Sequence, residues 1–114
     1  MFDFEKLDVY SEIKQLNKEV LGFIYGSLKD DYLRDQWKRA TMSIMLNLAE
    51  GTGRMSSSEK KHFYTISRSS VFECIAIMDV LVSLSWLDSA KYDTYYKSYE
   101  KVSKMLLGLY RNVA

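Results

Sequence analysis

An all-α, up-down-up-down antiparallel four-helix bundle is the fold class that this 114-residue chain predicts, on three observations. Apolar residues recur at steps of three and four along most of the chain, the spacing that stacks side chains on one face of a helix. No segment alternates apolar and polar residues as a half-buried strand would, and no βαβ rhythm is present. The apolar segments are separated only by short polar turns, so successive helices must fold back on one another. A chain of this length can bury about two thirds of its unfolded surface, so residues 1–114 are expected to form one domain without staples.

Each element follows from local pattern. Phe4, Leu7, Tyr10, Ile13, Leu16, Val20, Leu21 and Ile24 line one face of a first helix, whose end Gly22 and Gly26 weaken. Ser27, Lys29, Asp30 and Asp31 make a turn, and Asp30 or Asp31 supplies the N-cap of a second helix carrying Leu33, Trp37, Ala40, Ile44 and Leu48. Gly51 or Gly53 is expected to close that helix in the left-handed conformation. Ser56-x-x-Glu59 then has capping-box spacing, which starts a third helix near Ser57.

Between Val71 and Leu87 only Glu73 and Asp79 are charged, and apolar residues fall on more than one helical face. That band is too wide for a surface helix, and its two charges argue against a membrane span. It predicts burial on two sides, against the bundle and against another subunit, and hence a homo-oligomer. Asp88 and Ser89 cap a fourth helix in which Tyr92, Tyr95, Tyr96, Tyr99, Val102, Leu106, Leu109, Tyr110 and Val113 keep helical spacing. Its tyrosines read as rings at the core edge rather than as a platform for bases.

The chain has no proline and a net charge of only +1, but the charge is unevenly spread. Residues 1–33 carry −3, residues 34–68 carry +4 and residues 69–114 are neutral, so basic charge surrounds the Gly51–Ser58 turn. Arg54, Ser56, Ser57, Ser58, Lys60, Lys61 and His62 stand where free amides and the helix dipole attract anions. Arg34, Lys38, Arg54, Lys60, Lys61 and Arg68 are therefore the candidate nucleic-acid contacts. Asn47 and Glu50 lie on an otherwise apolar helix, and Arg39, Arg54 or Arg68 could complete an internal ion-pair network with them.

Catalytic patterns are lacking. His62 is the only histidine and has no Ser/Asp arrangement to orient it, Glu59-x-x-His62 has no second copy, and Gly51-x-Gly53-Arg54 is no P-loop. No enzyme activity, metal or cofactor is predicted. Cys74, the single cysteine, sits among apolar residues and reads as a buried small hydrophobe. The acidic start lacks a basic n-region, from which a cytoplasmic location is expected.

The chain resembles the four-helix bundle family first noticed as reading frames inside intervening sequences of bacterial 23S ribosomal RNA genes. Phe4-Glu5-Lys6-Leu7-Asp8-Val9-Tyr10 is similar to the family's opening. Arg39-Ala40, Ser43-Ile44 and Asn47-Leu48-Ala49-Glu50-Gly51-Thr52-Gly53-Arg54 are similar to its central signature, and Arg68, Ser70 and Phe72-Glu73 to a third block. Met45 stands where the family usually has proline, and Ser69-Ser70 where it has glycine followed by serine. The resemblance implies a bundle that assembles into a ring, typically a homopentamer, with Arg39, Asn47, Glu50, Gly51, Gly53 and Glu73 as signature positions. It also implies kinship with the accessory variability determinant rings of diversity-generating retroelements, which bind nucleic acid.

Together these readings predict a non-enzymatic ring-forming bundle that binds structured RNA or DNA, or a nucleoprotein, through a basic helix-two/helix-three surface. The alternative is a protein-interaction scaffold that never touches nucleic acid; under either reading the acidic first helix, with Asp3, Glu5, Asp8, Glu12 and Glu19, suits a basic partner.

Overall fold

The computed structural model describes residues 1–114 and contains four α-helices and no strand: α1 Asp8–Ser27, α2 Asp31–Thr52, α3 Ser57–Ser83 and α4 Ser89–Arg111, preceded by a 3-10 turn at Asp3–Lys6. The longest linker, residues 84–88, spans at most about 20 Å. The shortest helix is about 30 Å long, so each linker forces a reversal. Side-chain pairings agree, since numbers fall on one helix as they rise on its neighbour. Arg68 meets Ser103 and Asp79 meets Tyr92 between α3 and α4, while Tyr25 meets Arg34 and Asn17 meets Thr41 between α1 and α2. Each helix packs on its chain neighbours, α4 closes against α1, and the molecule measures 44 × 22 × 22 Å.

Side-chain caps place three of the four helix starts. Asp30, rather than Asp31, caps α2 by accepting from the Leu33 amide at 2.9 Å, and Asp88 caps α4 through the Lys91 amide at 2.8 Å. Ser56 accepts from the Glu59 amide at 3.2 Å, but the Glu59 carboxylate takes the Ser56 hydroxyl at 3.0 Å rather than the serine amide. The box is half closed. Gly22 and Gly26 do not end the first helix, which runs through both to Ser27.

Gly51 and Gly53 close α2 differently from expectation. No glycine has a positive φ; Gly53 sits at φ −85°, and Gly51 lies within the helix, buried. The one left-handed residue is Ser85, in the turn between α3 and α4.

Twenty apolar residues, eighteen from the four helices plus Leu28 and Leu87 of the linkers, form one core. A polar seam crosses its middle. The Trp37 indole of α2 donates to the Tyr99 hydroxyl of α4 at 3.1 Å, and both side chains are wholly buried. Beside them Thr41 Oγ1 lies 4.0 Å from the Cys74 sulfur, and Asn17 Nδ2 donates to the Thr41 carbonyl at 3.0 Å. Ser67 donates to the Ile44 carbonyl at 2.6 Å, and Ser70 to the Ser43 hydroxyl at 2.7 Å, drawing α3 close to α2. Cys74 is buried, as its apolar setting predicted. Of the tyrosines on α4, Tyr95 and Tyr99 are buried, and Tyr92 donates to Asp79 at 2.9 Å.

Burial pushes the Cys74 thiol from its ordinary 9.0 up to about 12, and raises the Tyr99 hydroxyl well above 10.0 for the same reason. An unfolded chain ionises both groups earlier than the folded one, so their contribution is intact below pH 9 and lost as pH rises. Unfolding titrations are expected to show stability falling from pH 9 toward 12, with Cys74→Ala reducing the early part of that loss. Tyr99→Phe, which leaves the Trp37 N–H unpaired, is expected to cost about 1–3 kcal/mol by chemical denaturation at pH 7.

Candidate interaction surfaces

The α2–α3 turn is cross-braced by its own cations. Arg54 bridges Glu50 at 3.4 Å and Glu59 at 3.5 Å, with its guanidinium 4.7 Å from the centre of the Phe63 ring. Lys60 donates to the Thr52 carbonyl at 3.0 Å, satisfying an acceptor at the end of α2. Lys61 stands 5.2 Å over the Tyr110 ring of α4, and the Ser57 hydroxyl donates to the Ala114 carbonyl. The serines and cations expected to await an anion are thus largely occupied by the chain itself.

Nor do the candidate contacts gather on one face. Arg34 and Lys38 lie at the start of α2, on the α1 side, 5.9 and 5.7 Å from the centre of the Tyr25 ring. Arg54, Lys60 and Lys61 lie beyond the other end of α2, roughly 27 Å away along the helix. Arg68 faces α4, where Nε donates to the Ser103 carbonyl at 3.2 Å.

The internal network drawn from the signature residues does not form. Arg39 pairs with Asp35 at 3.0 Å with 73% of its side chain exposed. Glu50 and Glu73 are exposed, and Asn47 turns back along its own helix to the Ser43 carbonyl and hydroxyl, each at 2.9 Å. Helical spacing alone did not say which flank of α2 would meet α3.

Gly51 answers a different need. A Cβ there would come within 2.6 and 2.8 Å of the buried Tyr64 ring and 3.1 Å of Phe63 Cβ, so glycine lets α3 approach α2 at their shared turn. Residues 5–108 match the family model described as 23S rRNA-intervening sequence protein. The chain belongs to that family. No curated protein matches the chain. Within the stretch that resembles the family's central signature, Gly51 is therefore a packing position, while Glu50 and Arg54 are partners in a surface ion pair.

Two surfaces on α3 escaped sequence reasoning. The first is a groove between α3 and α4, in which Phe72 is 56% exposed, Arg68 stacks 5.0 Å from its ring, and Tyr96, Leu107, Tyr110 and Lys104 complete the walls. The second is the outer α2–α3 face, where Leu46 (58% exposed) and Met42 reach solvent from α2; Val80 of α3 is exposed roughly 20 Å farther along the bundle. The apolar excess on Val71–Leu87 was the signal for both, but their positions required knowing where α2 and α4 lie. Ser69 is exposed on α3. No helix is long and apolar enough to cross a membrane.

Gly51→Ala must displace a buried ring, and is expected to lower stability by about 1–2 kcal/mol despite alanine's better helix propensity. Gly22, also helical but with nothing within 4 Å, is expected to respond oppositely, with Gly22→Ala gaining up to about 1 kcal/mol. Thermal melts of the two variants compare packing against propensity directly.

Proposed function

We propose that this chain is a non-enzymatic scaffold whose copies close head-to-tail into a ring, which presents its basic surfaces to structured RNA or DNA. The observation that carries this reading is the pair of exposed apolar surfaces flanking α3. Leu46 and Met42 stand on the outer side of α2, and Phe72 with Tyr96 lines the groove toward α4. An apolar side chain left in water on a helix surface gains stabilisation when covered, and exposed apolar patches mark interaction sites. Because the two surfaces are different, each can receive the other on a neighbouring copy. Such heterologous contacts form rings when the rotation closes, whereas a twofold dimer would use one surface twice.

Charges at the edges of the two surfaces favour this pairing over self-pairing. Glu73 and Glu50, the latter bridged to Arg54, accompany the α2–α3 face, and the groove that would receive it is lined by Arg68 and Lys104 with one acid, Glu100. Five subunits is the number that the family resemblance implies. A ring repeats each weak phosphate contact, so a chain of net charge +1 gains avidity that one copy lacks.

Light scattering after size exclusion tests the geometry. Leu46→Glu and Phe72→Glu each remove one half of the contact and are expected to give monomers. Mixed together, they retain one intact pairing and are expected to form a heterodimer that grows no further. Assemblies of wild-type size in both variants, or no dimer in the mixture, would refute the head-to-tail arrangement.

A further inference from the structure

We infer that the outer α1–α2 face binds single-stranded nucleic acid, with Tyr25 as the base-stacking ring and Lys14, Lys18, Arg34 and Lys38 as the phosphate contacts. This rests on the reading that the chain's basic surfaces meet nucleic acid, but it places the contact away from the α2–α3 turn and is independent of ring closure.

Tyr25 is 60% exposed, and it looks toward α2, since Arg34 and Lys38 both reach its ring. Two cations of one helix thus converge on a single exposed ring and concentrate positive charge beside it. Lys18 and Lys14 precede Tyr25 by 7 and 11 residues on α1, separations that return to the same side of a helix. The stripe from Lys14 to Tyr25 is thus about 16 Å long. Both lysines are exposed, and neither they nor Lys38 lie within 4.0 Å of a carboxylate. The three acids at this end are already engaged, Asp30 as the cap of α2, Asp31 with Arg34 at 3.8 Å and Asp35 with Arg39 at 3.0 Å. The acids of α1 lie elsewhere: Glu12 turns to Lys101 of α4 at 2.7 Å, and Glu19 holds Gln15 at 3.0 Å near Tyr95.

The face therefore has three lysines, Lys14, Lys18 and Lys38, without an acidic partner, an exposed aromatic ring, and a hollow of about 210 Å³ between the helices lined by Ile24, Tyr25, Arg34 and Lys38 together with the engaged carboxylates Asp31 and Asp35. Cations that track a phosphate backbone beside a ring offering its face to a base are the two components of single-strand recognition. A duplex hides its base faces, so the ring selects unpaired segments. The turn cations offer less, because Arg54 is held by two carboxylates and Lys60 by the Thr52 carbonyl, whereas Lys14 and Lys18 have no such partner.

Fluorescence anisotropy with labelled single-stranded RNA and DNA of about 16 nucleotides, across a salt series, tests the site. Inorganic polyphosphate as competitor separates charge from stacking. Lys14→Gln/Lys18→Gln is expected to weaken binding about tenfold at low salt and to flatten the log–log salt slope by about 1.4. Tyr25→Ala is expected to weaken oligonucleotide binding about tenfold while leaving polyphosphate competition unchanged, and Tyr25→Phe to restore it. Equal binding of RNA and DNA assigns the single strand as such, and a preference for RNA assigns a 2′-hydroxyl contact within the same site. Binding that survives all of these variants but is lost in Lys60→Gln/Lys61→Gln would overturn this site and leave the nucleic-acid reading standing at the turn. No binding of any oligonucleotide at low salt would overturn both. All substituted side chains are exposed or half-exposed, and melting curves verify that each variant is folded.

Discussion

The hydrogen bond from Trp37 to Tyr99 joins helices that are diagonal in the bundle, and the placement of the other side chains follows from it. These two groups are the large side chains at the centre, and a buried N–H or O–H without a partner costs more than the bond itself contributes. Sliding α4 by one turn against α2 would strand both. With that register set, Thr41 and Cys74 meet beside the pair, Asn17 reaches the Thr41 carbonyl, and the serines of α3 bond to α2. Apolar packing supplies most of the stabilisation, and the polar seam makes one alignment of the four helices preferable to its neighbours.

The α2–α3 hairpin shows how sequence and packing combine. Ser67 and Ser70 place small polar groups where longer side chains would hold the helices apart, and Gly51 removes even a methyl group where the Tyr64 ring crosses. Close approach on the inner side turns the remaining apolar residues of both helices outward. The exposure of Leu46 and Val80 is thus the counterpart of the tight inner seam.

What was legible in the sequence was local. Helix periodicity, the caps at Asp30, Ser56 and Asp88, and the burial of Cys74 each depend on residues within a turn or two of one another, and each is present. Gly51 was visible as a special position, but its reason was not, because the Tyr64 ring arrives from the next helix. Arg39 was one of three arginines offered as an interior partner for Asn47 and Glu50, yet α3 lies on another flank of α2 and the guanidinium turns to Asp35. Counting charge by segment concealed the α1–α2 stripe: residues 1–33 are acidic in sum, but Lys14 and Lys18 share a face with Tyr25 while Glu12 turns to α4. Only the order of helices around the bundle separates the two.

That order also bears on how the chain folds. Every helix pairing except α1 with α4 joins consecutive elements, so most contacts close short loops and low contact order favours rapid folding. The α2–α3 hairpin combines a short loop with the closest packing, which suits it to nucleate the bundle, while docking of α1 on α4 must span nearly the full chain. A nascent hairpin already displays Leu46, Met42 and Val80 before α4 has covered the opposite side of α3. Partly folded chains therefore carry a sticky edge early, and at high concentration the speed of α4 docking decides between orderly folding and premature association.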